Sequence, residues 1–308
     1  MTVILCTHNP APDVLSRTLA GLRAQTFASE RWELLIVDNG SAQPVTALDV
    51  DFPAQARVLN EPRLGLTHAR LAGLRATSSP LIVFVDDDNV LAPDYLERAV
   101  EALQRLPSVG AAGGKSLPDF ASPPAEWQHE FVSLLAVRDL GAGEQLASAG
   151  HPLRYPGCSP IGAGMVLRCE ALNLWLRSGD ASIPDRTGSN LSSGGDNDIV
   201  LHVLRSGWSV AYIPGLVLHH IIPARRLQPD YLARLNRAMQ RSWMEVLTRH
   251  DANPWHPIPR WSLPLRVTKA WLRHAPWSSE ANRIRFCGAL GHFEGRCAPA
   301  SLLRRSSN

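Results

Sequence analysis

Residues 81–89 read Leu81-Ile82-Val83-Phe84-Val85-Asp86-Asp87-Asp88-Asn89. The apolar run is continuous rather than alternating, which is the pattern of a strand buried on both faces, as in a parallel sheet covered by helices. It then stops at three adjacent carboxylates. Like charges so close repel, and a divalent cation is the usual means of offsetting that; oxygen ligands of this kind favour Mg²⁺ or Mn²⁺. If the strand geometry continues through the acids, Asp86 and Asp88 share one side and Asp87 points to the other, toward structure. Acidic strand ends also occur in phosphatases and receiver-type domains, so this stretch alone leaves the chemistry open.

Working outward, Val3–Cys6 reads as a strand, residues 14–24 as a helix, Glu33–Val37 as a second strand and Arg57–Leu59 as a short third. Residues 66–76 and 94–106 carry helical spacing on either side of the 81–85 strand. This β-α-β alternation predicts an α/β fold, Rossmann-like, with a mostly parallel sheet flanked by helices. Residues 107–160, with Pro118, Pro123, Pro124, Pro152, Pro156 and Pro160 among their prolines, are expected to be irregular, with a short helix near 127–137 and an acceptor-facing segment. A strand at 163–168, a helix at 197–205, extended runs at 210–213 and 216–220, and an amphipathic helix at 229–247 follow. A boundary near residue 224 separates an expected catalytic domain, 1–224, from a helical C-terminal extension, 225–308.

Parallel strands place their carboxyl ends on one edge, where ligands bind. The expected strands end in Thr7-His8-Asn9, in Asp38-Asn39-Gly40-Ser41 and in Asp86-Asp87-Asp88-Asn89. Each alone also fits a cap or turn; together they describe a ligand site. A further stretch, Ser193-Gly194-Gly195-Asp196-Asn197-Asp198, puts acids at a helix start, where the macrodipole favours the ionised carboxylate that a general base needs. Asp196 or Asn197 as a plain N-cap is the competing reading.

The 308 residues are 45% hydrophobic and 19% charged, ordinary values for a globular chain, and no apolar run is long enough to cross a bilayer. The start, Met1-Thr2-Val3, reads as a strand rather than a secretion signal. Five cysteines without a C-x-x-C spacing fit a reducing compartment, hence an expected cytoplasmic location. The net charge of +3 hides an asymmetry: residues 1–224 carry 16 basic and 23 acidic side chains, residues 225–308 carry 15 and 5. Five of the nine Trp also fall in that basic end.

Taken together, the stretches at 3–9, 34–41, 63–70, 83–89, 162–168 and 194–198 resemble the family 2 glycosyltransferases of the GT-A fold over residues 2–224. The resemblance implies an inverting, metal-dependent, non-processive enzyme of bacterial type, with Mn²⁺ or Mg²⁺ as cofactor. It implies that Thr7, His8, Asn9 and Asp38 hold base and ribose, with Asp38 accepting from the base imide. Arg63, Gly65 and Arg70 would line the nucleotide side. Asp86 and Asp88 match the family's D-x-D, with Asp88 the direct metal ligand and Asp86 near the ribose; Asp87 borders the same group. Asp196 matches the catalytic base. His219 falls where relatives place a histidine near metal or diphosphate, with His220 its rival.

Two departures stand out. His8 takes the place of the usual aromatic residue, and Gly195 replaces a Glu that relatives carry. The Q-x-x-R-W signature and spanning helices of processive synthases are absent. The implied partners are a nucleotide-sugar donor, uridine diphosphate being the commonest carrier in the family, and a saccharide or lipid-linked saccharide acceptor. The basic, Trp-rich end, with Arg234, Arg237 and Arg241 on one stripe, fits a packed solvated face or a peripheral contact with an anionic membrane on its inner face. No recognition motif for nucleic acid accompanies the charge. The rival functions are transfer to a polyprenyl phosphate, which needs no strong base, and non-catalytic nucleotide-sugar binding.

Overall fold

The computed structural model describes residues 1–178 and 191–297; residues 298–308 of the expected extension lie outside the described residues. Strands β1 (Thr2–Thr7), β2 (Glu33–Asp38), β3 (Ala56–Asn60) and β4 (Leu81–Asp86) are parallel in the order β3-β2-β1-β4. Beyond β4 the same sheet continues through β8 (Val166–Arg168), β6 (Val109–Phe120), β9 (Ser209–Ile222) and β5 (Asn89–Leu91), while β7 (Gln145–Ala147) pairs with β9. β8 is antiparallel to both neighbours, and β6 and β9 are parallel over a long register, so the sheet is mostly parallel. Thr7 pairs with Asp38, and Cys6 pairs with both Val37 and Asp86, so three strand ends reach one edge.

Strand alternation divides the core. Val3, Leu5, Leu34, Ile36, Val83 and Val85 pack on one face against α1 (Pro12–Arg23) and α3 (Tyr95–Arg105). Ile4, Leu35, Val37, Ile82 and Phe84 pack on the other against α2 (Leu66–Arg75), α4 (Asn173–Ser178) and α5 (Gly195–Arg205). Burial on both faces is why these strands read as unbroken apolar runs. Phe84 is fully buried, and cutting it to Ala costs about 3–5 kcal/mol.

The structure differs from the sequence expectation in three places that matter to the site. The segment expected to be irregular contains the twelve-residue strand β6. After Val109 its sequence runs Gly110-Ala111-Ala112-Gly113-Gly114, which has none of the residues that signal a strand; at Gly114 β9 approaches so closely that a Cβ would lie 2.0 Å from Leu216 O. The two extended runs expected at 210–220 form the single strand β9. And β4 ends at Asp86; Asp87 and Asp88 form a turn into β5, so strand alternation does not sort the three acids.

After β9 come α6 (Pro229–Arg249), α7 (Leu263–His274) and α8 (Glu280–Arg296). Leu232, Leu235 and Ile284 join Phe131, Leu135, Ile222 and Leu227 in one apolar cluster, so the C-terminal helices are packed on the body. The expected arginine stripe on α6 is partly spent internally: Arg237 pairs with Glu294 of α8 and Arg241 with Glu245.

Candidate active site

A cavity of about 870 Å³ opens at the carboxyl ends of β1 and β4, within the size range of small-molecule sites. Thr7, His8, Asn39 and Gly65 border it, together with Asp86, Asp87 and Asp88 and with Gly162, Asp196 and Asn197. Arg225, Arg226, Tyr231, Met239, Gln240 and Trp243 close it from the segment after β9.

The turn after β4 sends all three carboxylates to the cavity, each to a different partner. Asp86 lies 3.7 Å from the buried Arg70, whose guanidinium stacks 4.9 Å from the centre of the Phe84 ring. Asp87 accepts a hydrogen bond from Thr7 Oγ1. Burial, and then the charge of Asp88, push its pKa up to about 7. Asp88 Oδ2 lies 3.0 Å from Arg226 Nη1 and 3.3 Å from His220 Nε2. Three crowded carboxylates make a donor set that fits a hard divalent cation such as Mn²⁺ or Mg²⁺.

Asp196 sits in the first turn of α5, whose N-cap is Gly194, so its carboxylate is not the cap. Oδ2 accepts the Gly162 N–H at 3.0 Å, and Oδ1 accepts the Asn197 N–H at 3.0 Å. Gly162 is required by what meets there: a Cβ would lie 2.6 Å from Arg70 Nη2 and 3.2 Å from Asp196 Oδ2. Beside Asp196, Tyr155 donates to Asn197 Oδ1 at 2.8 Å, and its ring meets Trp243 edge-on at 4.8 Å. A carboxylate next to an aromatic wall suits a hydroxyl-bearing ring substrate.

Of the residues expected at the site, the structure brings Thr7, His8, Gly65, Arg70, Asp86, Asp87, Asp88 and Asp196 together around the cavity. Asp38 does not line it. Its oxygens accept the backbone N–H groups of Ser41 (3.1 Å) and Val45 (2.9 Å), holding the loop after β2. Asn9 is exposed and accepts from Ala42 N, and the largely exposed Arg63 pairs with Glu61. His219 is a correction: its side chain is exposed, and the buried His220 is the one beside Asp88. The pairing of Asn89 with His220 across β5 and β9 sets that choice.

Two further residues of the site are not marked by the sequence pattern. Arg226 falls within the basic C-terminal end, just past the β9 strand that carries His220. Asn39 reads as part of a turn. It donates to Glu61 O (2.9 Å) and Arg63 O (2.7 Å), accepts from Gly65 N (2.8 Å), and its own carbonyl meets His8 Nδ1 at 2.8 Å. It orders the loop between β3 and α2.

A second acid–histidine group lies outside the cavity. The ligand atoms of Asp198, His202 and His250 fall within 4.8 Å of one another. His250 Nε2 is 2.7 Å from Asp198 Oδ1, and Trp175 Nε1 donates to Oδ2 at 2.8 Å. These bonds tie α4, α5 and the end of α6 together behind Asp196.

The family model described as Glycosyl transferase family 2 matches residues 2–158, and that of Glycosyl transferase family group 2 matches residues 81–241. An N-acetylglucosaminyltransferase of Bradyrhizobium diazoefficiens is 25% identical over 83% of this chain and 50% of its own length. A glucosyl-dolichyl phosphate glucuronosyltransferase of Haloferax volcanii is 28% identical over 47% of this chain and 48% of its own. The chain thus spans about half the length of the curated relatives it matches. Among solved structures, the mannosyltransferase PcManGT from Pyrobaculum calidifontis, in complex with GDP-Man and Mn²⁺, superposes with a TM-score of 0.55 at 18% identity, covering 94% of this chain and 73% of that one. S. aureus TarS superposes with a TM-score of 0.51 at 13% identity, covering 93% and 54%. Both share the GT-A fold with this chain.

Proposed function

The chain belongs to glycosyl transferase family 2, and from that premise we propose that it moves a sugar from a nucleoside diphosphate to an acceptor hydroxyl with inversion at the anomeric carbon. The observation that carries this reading is that Asp86, Asp87, Asp88 and Asp196 line one cavity. Thr7, His8, Gly65 and the loop ordered by Asn39 receive the nucleotide. Asp88, with Asp86, would hold Mn²⁺ or Mg²⁺, which supplies positive charge for the diphosphate. Arg70 and Arg226 add fixed positive charge on the same side.

Asp196 receives the proton of the attacking hydroxyl while that oxygen bonds to the anomeric carbon and the bond to the diphosphate oxygen breaks. Attack opposite the leaving group inverts the centre and needs no covalent sugar–enzyme intermediate. The Tyr155–Trp243 wall beside Asp196 receives the acceptor, a saccharide or a lipid-linked saccharide of bacterial polysaccharide or glycoconjugate assembly. Uridine diphosphate is the first donor carrier to test. In the same reading residues 1–224 form the catalytic unit, and residues 225–308 form an extension whose first helix closes the acceptor side and which works at the cytoplasmic face of a membrane. No described helix is long and apolar enough to cross one.

The test is Asp196→Asn. Transfer from a nucleotide sugar falls at least about a hundredfold with donor binding retained. Undiminished transfer removes Asp196 from the mechanism and favours a phosphate acceptor such as polyprenyl phosphate. No transfer or hydrolysis by the wild-type chain across a donor panel favours non-catalytic binding.

A further inference from the structure

The large apolar side chains that stay most exposed among the described residues surround α7: Trp261 is 82% exposed, Leu265 73%, Leu272 63% and Trp277 62%. Helical spacing sorts α7 into three faces. Ala270, with Leu263, Val267 and His274, is buried or half-buried against the rest of the protein. Leu265 and Leu272 share an exposed apolar face; Trp261 precedes it by one turn, and Trp271 packs on Trp277 at 4.3 Å along its flank. Arg266, Lys269 and Arg273, at i, i+3 and i+7, form an exposed cationic stripe next to it. No acidic residue occurs between Asp251 and Glu280. Unlike Arg237 and Arg241 of α6, the three α7 cations have no acidic partner among the described residues.

We propose that this face of α7 seats the chain on an anionic lipid bilayer. A contiguous exposed apolar face on a folded chain marks an interaction surface. Indole rings and leucines bordered by lysine and arginine fit the headgroup boundary, where the rings enter the acyl edge and the cations meet lipid phosphates. Charge favours this occupant over a second copy, since a two-fold pairing of α7 faces would bring like stripes together. With twelve residues α7 lies in the plane of the surface and does not span it.

The placement also serves the site. His274, at the end of α7, borders a second groove of about 390 Å³, whose Ser133, Leu134 and Gln240 also line the main cavity. The groove therefore runs between the packed side of α7 and the main cavity. Its use rests on the lipid-linked acceptor proposed above; the docking itself does not.

The full chain is sedimented with vesicles of phosphatidylglycerol and phosphatidylethanolamine, and with phosphatidylcholine alone. It binds the anionic vesicles selectively. The triple variant Trp261→Ser, Leu265→Ser, Leu272→Ser loses that binding, and Lys269→Gln with Arg273→Gln weakens it about thirtyfold. Both variants keep wild-type binding of Mn²⁺ and uridine diphosphate by calorimetry, which shows that they fold. Absence of wild-type binding to anionic vesicles, or its retention by the triple variant, overturns the proposal. So does a dimer in analytical ultracentrifugation that the triple variant abolishes while vesicles bind neither form. Failure of the transferase reading appears separately, as loss of nucleotide binding or transfer with vesicle binding intact.

Discussion

Arg226 Nη1 stands 3.0 Å from Asp88 Oδ2 and 3.1 Å from His220 Nε2, so an arginine from beyond β9 covers the carboxylate that the D-x-D assigns to the metal. A fixed positive charge there competes with a free cation and assists a cation-bound diphosphate. Arg226→Gln should therefore bind Mn²⁺ alone about tenfold more tightly, yet bind nucleoside diphosphate with Mn²⁺ more weakly than wild type. Calorimetry with each ligand separates the two effects. A change of the same sign in both would mean that Arg226 acts only on folding.

Gly162 gives the second prediction. Its missing side chain leaves room for Arg70 and Asp196 on either side of one backbone position. Gly162→Ala forces one of them to move and should lower turnover by at least about tenfold, with nucleoside diphosphate binding changed far less. Steady-state kinetics beside calorimetry checks the split.

Asn39 is buried and supplies two donors to backbone carbonyls. Asn39→Asp replaces both donors by an acceptor facing the same two carbonyls. The expected loss is about 2–4 kcal/mol of stability, readable by denaturant unfolding, together with weakened nucleotide binding, because the carbonyls of Glu61 and Arg63 lose the donor that holds their loop.

Asp87 sets a pH dependence. Its folded pKa of about 7 stands above the ordinary 3.8, so the folded chain holds an extra proton between those values. The cation-free chain is therefore penalised as pH rises above the unfolded value, and the penalty is complete above the folded one. Asp87→Asn should stabilise the chain in EDTA above neutrality and leave stability unchanged at pH values below the ordinary carboxylate range. Added Mn²⁺ should erase the difference. Thermal unfolding across pH, with and without Mn²⁺, tests this.

The part of the fold legible in the sequence was the part whose signals are local. The runs Ile4-Leu5-Cys6, Leu34-Leu35-Ile36-Val37 and Ile82-Val83-Phe84-Val85 announce strands buried on both faces, and β1, β2 and β4 lie there in parallel. β6 was hidden because its glycines answer to segments far off in the chain: Gly110 meets Ala171 and Trp208, Gly113 meets Pro160, and Gly114 meets the backbone of β9. The same holds at the site. The turn at Asp87 and Asp88 breaks the period that seemed to sort the three acids, and the choice of His220 over His219 depends on a pairing with β5 that the sequence does not display. Arg226, Tyr155 and Trp243 reach the cavity from three separate segments, with no common spacing to reveal them.

In the proposed mechanism Asp88 and its neighbours hold the cation that faces the donor diphosphate. Anomalous diffraction from crystals grown with Mn²⁺ and uridine diphosphate tests it most directly. The predicted result is one manganese peak within about 2.2 Å of an Asp88 oxygen, bridging to the diphosphate, with Asp196 across the cleft. A peak at Asp198, His202 and His250 instead, or a diphosphate bound away from the turn after β4, contradicts the account.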